Sequence, residues 1–429
     1  MNNLRFVQLA LCTLFFLNNV AQAWGPDKTH RSIAEYAANI SILSPVHGDY
    51  LRNIGFRSGL DTYLNWNVEQ DGQVEGNQSK RAIEWMKDIG ARLEDGKMRE
   101  LNHFFNPLKD WHSAGLHVVG IIPFGESTVL WAQDSNFQAT WSNPNGMEQP
   151  YQGIITIPDS TVLTDWSWQK TRGYYYLACT STSTTDREAN FAKMFTGLGH
   201  QMHLLQDMSV PMHVRNDSHL FNRWIEEYVD KNIDSLMTFT VITMPTVSFA
   251  PTQNSLAPSP VANLFDTNQY NGTNPAITIQ NNIGLAEYTN ANFVSPDTIF
   301  TGFPYPALAT SVITTTKSFT YSTGNTVTVS QQKRDYYWKN ADGDTGYLLA
   351  GKPFIHFEKD RILPGGEVTI HKYIPPMDDN VHRDYAAKLL PRAVGYSAAL
   401  LNYFFRETLE ISAPTTSVYA ITDGSRART

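Results

Sequence analysis

The sequence predicts a mainly α-helical protein carrying one β-rich insertion. Apolar residues recur at helical spacing through 189–207 and again through 389–404. Between these stretches, Ser318-Phe-Thr-Tyr-Ser-Thr-Gly-Asn-Thr-Val-Thr-Val-Ser330 alternates about Gly324-Asn325, the pattern of a β-hairpin.

Arg5 precedes an apolar run from Phe6 to Leu17 and the small-residue pattern Ala21-Gln22-Ala23, the layout of a secretory signal peptide. The run is shorter than the roughly 20 residues a membrane-spanning helix needs, and no transmembrane segment is expected further on. Cleavage at Ala23/Trp24 leaves 406 of the 429 residues, beginning Trp24-Gly25-Pro26, so the expected product is secreted or periplasmic. His30 to Ala38 has helical character, as does Lys80 to Leu93, where Ile83, Met86, Ile89 and Leu93 share a face. Segments 113–132 and 151–165 are short β-branched and apolar runs, open to strand or loop.

The strongest helix is expected over 189–207, with Pro211 ending it because proline has no amide proton to give. A second runs from about Arg223 to Met237. Pro, Asn, Ser and Thr then dominate 240–280, which suggests a long surface loop. Strand character over 305–375 sets off the insertion. Helical periodicity returns with Leu389, Leu390, Ala393, Val394, Leu400, Leu401 and Phe404, Pro391 either starting or kinking that helix. The expected organisation is a signal peptide at 1–23, a helical core of 24–304 and 376–410, the insertion at 305–375, and a disordered tail at 411–429.

Composition narrows the function. Cys12 leaves with the signal, so Cys179 remains as a lone cysteine and stability must come from core size or bound metal. Net charge is −8, or −9 once Arg5 is gone. Such acidity gives no support to diffuse binding of nucleic acid or an anionic membrane.

The chemistry-bearing stretch is Leu198-Gly-His-Gln-Met-His-Leu-Leu-Gln-Asp-Met-Ser-Val-Pro-Met-His213. His203 and Asp207 are four apart, one turn above each other on a helix, and can hold one metal between them. Pro211 turns the chain so that His213 comes back towards the same region. Histidine with carboxylate suits zinc. His219 follows, Glu226 lies on the next helix, and Asp95 and His103 bracket a connection upstream. Four of the 12 histidines, His200, His203, His213 and His219, fall within 20 positions, which random scatter seldom produces.

With these residues the chain resembles the zinc-dependent phospholipases C, which share a fold and metal cluster with single-strand-specific nucleases. The resemblance covers roughly 24–38, 88–108, 195–230, 284–299 and 384–406, and implies a multi-helix core of the phospholipase C/nuclease type. It implies three Zn2+ held by nine residues. Trp24, as a mature N-terminus, and His30 hold one ion; Asp207 bridges it to a second held by Asp95, His103 and His203; His213, His219 and Glu226 hold the third. Two positions stay open. Glu94, or more remotely Asp61, competes with Asp95. Position 223 is Arg where the family places a carboxylate four residues after the histidine, so Glu227 or Asp217 competes with Glu226. On one continuous helix His219 and Glu226 would lie about 10 Å apart, too far to share an ion; with Glu226 as ligand, His219 must precede the helix. His112, His200, His356, His371 and His382 have no place in the set.

The implied activity is phosphodiester hydrolysis, with Asp95 as the catalytic residue orienting or deprotonating the attacking water. His103-Phe-Phe-Asn-Pro107 and Pro211-Met-His213 resemble lipase-branch motifs, so the expected substrate is a phospholipid, cleaved to diacylglycerol and a phosphorylated head group during transient contact with a membrane surface. The alternatives are a single-strand nuclease or 3′-nucleotidase, in which aromatic residues would stack bases, and a non-catalytic zinc-stabilised surface module. Gly284-Leu-Ala-Glu-Tyr-Thr-Asn-Ala-Asn-Phe293 resembles the family without an assignable chemistry.

Overall fold

A computed structural model describes residues 24–406, apart from 72, 96–98, 119–121, 124, 143–162, 218–223, 241, 246–259, 300–301, 308–311, 324–326, 342–343, 353, 364–365 and 375. The expectations for the signal peptide, the tail, most of segment 151–165 and His219 lie outside these residues.

The architecture is mainly α. A π-helical turn, Pro26–His30, leads into α1 (Arg31–Ile40), whose Ile33, Ala34, Ala37 and Ala38 face the core. An antiparallel hairpin follows, β1 (Tyr63–Gln70) and β2 (Gln73–Arg81). Leu64, Trp66 and Val68 on β1 point inward while the intervening residues are exposed. The expected helix from Lys80 is corrected here. Lys80 and Arg81 end the strand, α2 begins at Ala82–Glu84, and the chain continues as a π-helical stretch, Trp85–Ala91. Glu84 accepts the Arg81 amide at 2.8 Å, which stops the strand and starts the helix.

Two long helices pack antiparallel in sequence order, α3 (Trp168–Thr180) and α4 (Thr184–Asp207). From Phe191 to Asp207 nearly every α4 residue is buried, so this helix is the axis of the core. It ends at Asp207, four residues before Pro211; the proline instead opens a short helix, α5 (Pro211–Val214), where its missing amide costs nothing. α6 (Trp224–Leu236) follows.

In the described part of segment 240–280, residues 260–280 are not all the surface loop the composition suggests. Short 3-10 turns at Pro260–Leu264 and Pro275–Ile279 bury Val261, Ala262, Leu264 and Phe265 beside α7 (Leu285–Asn292). β3 (Val312–Thr323), β4 (Val327–Ala341) and β5 (Asp344–Gly351) form a three-stranded antiparallel sheet, with Thr323 paired to Val327 across the expected hairpin turn. β6 (Phe354–Leu363) and β7 (Gly366–Ile374) make a separate hairpin. The base of this β region is tied to the helices: Tyr347 Oη donates to the Asn292 carbonyl at 2.7 Å, Tyr385 Oη to the Leu349 carbonyl at 2.7 Å, and Arg334 reaches Asp378 at 3.1 Å. The last helix, α8 (Asp379–Phe404), contains Pro391 in its interior and closes on α1, α4 and α6.

One helix crossing sets the geometry of everything below. A methyl group on Gly199 would lie 2.0 Å from the Met86 carbonyl oxygen, and one on Gly90 would lie 2.3 Å from the Thr196 carbonyl oxygen. Only glycine at both positions lets α4 and the π-helical stretch meet backbone to backbone. The contact draws His203 on one element and residues 94–95 beyond the other to the same place.

Candidate metal centre

Two overlapping sets of ligand atoms converge at the foot of α4: His30, Asp95 and His203, and His103, His203 and Asp207. His203 belongs to both. Asp207 divides its carboxylate between neighbours, Oδ1 lying 3.3 Å from His30 Nε2 and Oδ2 lying 2.9 Å from His103 Nδ1 and 3.4 Å from His203 Nε2. Asp95 Oδ1 is 3.4 Å from both His103 Nδ1 and His203 Nε2.

Backbone and side-chain oxygens behind the rings decide which nitrogen faces the centre. Nδ1 of His30 donates to Gln206 Oε1 at 2.7 Å, and that of His203 to the Ala91 carbonyl at 2.6 Å. Nδ1 of His213 donates to the His103 carbonyl at 2.8 Å. Because a carbonyl oxygen can only accept, each Nδ1 carries the proton and each Nε2 is left with a lone pair, the form in which imidazole binds a metal. Gln206 also donates to Ser397 Oγ at 3.3 Å, so its orientation is itself held.

The centre is buried and its polar atoms lack partners. His30 Nε2, His203 Nε2, both His103 ring nitrogens and all four oxygens of Asp95 and Asp207 have no hydrogen bond and no water access. A single such group costs about 1–3 kcal/mol, so a cluster of them on one point is an arrangement awaiting a cation. The spacing fits as well. Tetrahedral bonds of about 2.0–2.1 Å, as zinc makes to imidazole and carboxylate, would separate neighbouring ligand atoms by roughly 3.3–3.4 Å. Four of the five distances across the centre have that value. These buried His and Asp groups can hold a metal ion.

The charges of these side chains act on one another. Burial opposes charge on His203, but Asp207 and Asp95 outweigh it and lift its pKa to about 10. The same forces raise His103 and hold Asp95 and Asp207 below the usual carboxylate range, against burial. His30 goes the other way, pushed down by burial and by His203 beside it.

The remaining sequence-predicted residues sort as follows. Glu94 does not face the centre as Asp95 does: its Oε2 accepts Arg99 Nε at 2.9 Å and the His200 ring, and its Oε1 accepts Trp131 Nε1 at 3.1 Å. Asp61 is exposed and paired with Arg81. Glu226, in the first turn of α6, is buried with Oε1 3.9 Å from His213 Nε2. Glu227 points outward to Lys231, and Asp217 accepts the Asp297 amide at 3.1 Å. His213 adjoins the main cluster, its ring centroid 6.4 Å from that of His103.

Trp24 is fully buried, and its indole donates to Ser209 Oγ at 2.9 Å, on the turn that also carries Gln206. Asp230 clamps the same N-terminal stretch through Thr29, and a methyl group on Gly25 would strike its carboxylate. The two motifs 103–107 and 211–213 form one unit: the Phe105 amide donates to the His213 carbonyl at 2.9 Å, and Phe104 stacks on the His213 ring at 4.5 Å.

Segment 284–293 has a structural task. Glu287 accepts hydrogen bonds from the amides of Thr267, Gln269, Tyr270 and Gly284, and Asn290 donates to the Val214 carbonyl at 2.6 Å. It thereby supports the turn after His213. Gln206 was not foreseen as a functional residue, because a glutamine beside a candidate ligand carries no distinguishing pattern. No family model matches the chain, and neither the curated proteins nor the solved structures contain a match.

Proposed function

We propose that the protein is a secreted zinc-dependent phosphodiester hydrolase of the phospholipase C kind. The observation that carries the reading is the Asp95, His103, His203, Asp207 and His30 cluster, buried, unpaired and spaced for tetrahedral ligation. In this reading His30 and Asp207, with the amino group and carbonyl of Trp24 freed by cleavage, hold one zinc. Asp95, His103, His203 and Asp207 hold the second, and His213, His219 and Glu226 the third.

Bound zinc would polarise the phosphate oxygens and lower the pKa of a water molecule beside them. The protein's residues do the rest. His30, His203 and His213 present fixed tautomers, so no reorganisation accompanies binding. Asp95 accepts the proton of the attacking water or aims its lone pair. Glu226 and His213 would hold the ion that steadies the departing alkoxide, and the helices around α4 would exclude bulk water.

A phospholipid is the proposed substrate, because motifs 103–107 and 211–213, on which the likeness to the lipase branch rests, are joined to each other at the centre. Substrate would be taken up during transient contact with a membrane surface; no helix of the described residues is long and apolar enough to cross a membrane.

The test uses the secreted protein. Zinc is measured by elemental analysis, then diacylglycerol release from phosphatidylcholine vesicles is compared with digestion of single-stranded DNA. Zinc with diacylglycerol release is the expected result. DNA digestion alone would replace the lipid reading with the nuclease one; stoichiometric zinc with neither activity would leave a zinc-stabilised binding module.

A further inference from the structure

Three of the four histidines around the centre turn their remote nitrogen to a neutral oxygen, from Gln206, Ala91 and His103. His103 is the exception. Its Nδ1 faces Asp95 and Asp207, and its Nε2 faces the Glu94 carboxylate, with Oε1 3.7 Å away. Both side chains are fully buried.

Glu94 is itself held from three sides, by Arg99, Trp131 and His200. Arg99 is also buried and is oriented by the Thr164 carbonyl at 3.1 Å. This is more support than a carboxylate needs merely to balance one guanidinium. Its oxygens are taken up by donors, so it is not available as a ligand, yet Oε1 lies 3.7 Å from the remote nitrogen of a ligand ring.

We propose, on the reading of this centre as a zinc site, that Glu94 is a positioning residue for His103. Its negative charge attracts the Nε2 proton of His103. That fixes the tautomer in which the Nδ1 lone pair points at the centre, and it makes that nitrogen a stronger donor than a neutral acceptor would. A carboxylate behind a ligand histidine does this generally, and losing it costs about 10- to 100-fold in metal affinity. At 3.7 Å the contact is longer than a hydrogen bond, so Glu94 acts by charge, and an uncharged replacement of the same shape removes the effect.

The experiment compares the secreted wild-type protein with Glu94→Gln and Trp131→Phe. Two readouts are zinc affinity, by competition with a chromophoric chelator, and the visible spectrum of the cobalt-substituted protein. Glu94→Gln is expected to weaken zinc binding about 10- to 100-fold and to shift the cobalt bands. Trp131→Phe removes one donor from Oε1, which leaves the Glu94 charge less offset, and is expected to move both readouts the opposite way by a smaller amount. A glutamate that only stabilised the fold would lower Tm and leave the cobalt spectrum of the folded protein unchanged. Unchanged affinity and spectrum in Glu94→Gln overturn the assignment. Should that variant fail to fold, the same null result in Trp131→Phe overturns it. Absence of zinc from the wild type would instead remove the underlying reading.

Discussion

The imidazole rings of His30 and His203 lie face to face, their centroids 3.6 Å apart and their planes 12° from parallel. They reach this contact from positions 173 residues apart, one from the turn before α1 and one from the last turns of α4. Stacked this closely and this deeply, the two rings cannot both carry charge at ease, and the raised pKa of His203 comes with a lowered one for His30. His203 belongs to both ligand sets, whereas His30 belongs to one. His203→Ala is therefore expected to lose more metal than His30→Ala. Elemental analysis of the two purified variants checks this, and equal losses would contradict a shared role for His203.

Asp95 is the carboxylate with both oxygens unpaired beside two histidines. On the proposed mechanism Asp95 takes or aims the proton of the attacking water, and would contribute to the chemical step and little to holding substrate. Asp95→Asn keeps the shape and one acceptor oxygen. Turnover is expected to fall about 10²- to 10⁴-fold, the usual contribution of a positioned base, with KM changed much less. A variant that retained zinc and full kcat would remove Asp95 from that role.

These assignments were legible in the sequence to different depths. The spacing of His203 and Asp207 was, because four residues along a helix always brings two side chains to one face. Glu94 against Asp95 was not: adjacent residues at a helix end point about 100° apart, and the phase depends on the π-helical stretch before them. That stretch has no sequence mark, since Trp85, Met86 and Ile89 suit an α-helix equally. The β1–β2 hairpin has its mark in the alternation of Leu64, Trp66 and Val68. The buried turn at 260–265 is hidden in the sequence for a physical reason: Val261, Ala262, Leu264 and Phe265 form too short an apolar run to show a period among prolines and asparagines. The pairing of Gln206 with His30 spans 176 residues and has no local signature.

His382, buried in α8, is pushed down to about 3 by desolvation. An unfolded chain takes up a proton on this residue near pH 6.5, while the folded chain does not until near 3. Between those values the unfolded state binds more protons, so the stability contribution present above pH 6.5 is lost progressively as pH falls. One proton gives at most about 1.4 kcal/mol per pH unit. His382→Phe is expected to flatten the fall in denaturation free energy over this window, measured by urea unfolding at a series of pH values. Parallel curves for the two proteins would show that His382 does not carry the effect.

Asp266 and Glu287 give the opposite slope. Burial, and the Glu287 carboxylate beside it, push Asp266 well above the ordinary carboxylate range. Glu287 accepts the amides of Thr267, Gln269 and Tyr270, and Asp266 is the member of the pair whose pKa is raised. The folded state then holds a proton that the unfolded chain gives up near the usual Asp value. Stability from this pair is complete at low pH and is lost as pH rises towards the folded pKa of Asp266. Both oxygens of Asp266 also accept hydrogen bonds, from Trp111 Nε1 at 2.6 Å and the Asn268 amide at 3.0 Å. Asp266→Asn abolishes the titration but can keep only one of these acceptors, because the amide NH2 has no lone pair to offer. It is therefore expected to be less stable than wild type by about 1–3 kcal/mol at pH 5, with the gap narrowing as pH rises to 8 and the wild-type pair comes under charge. Urea unfolding of both proteins across that range checks it, and a gap independent of pH would mean that Asp266 is ionised throughout.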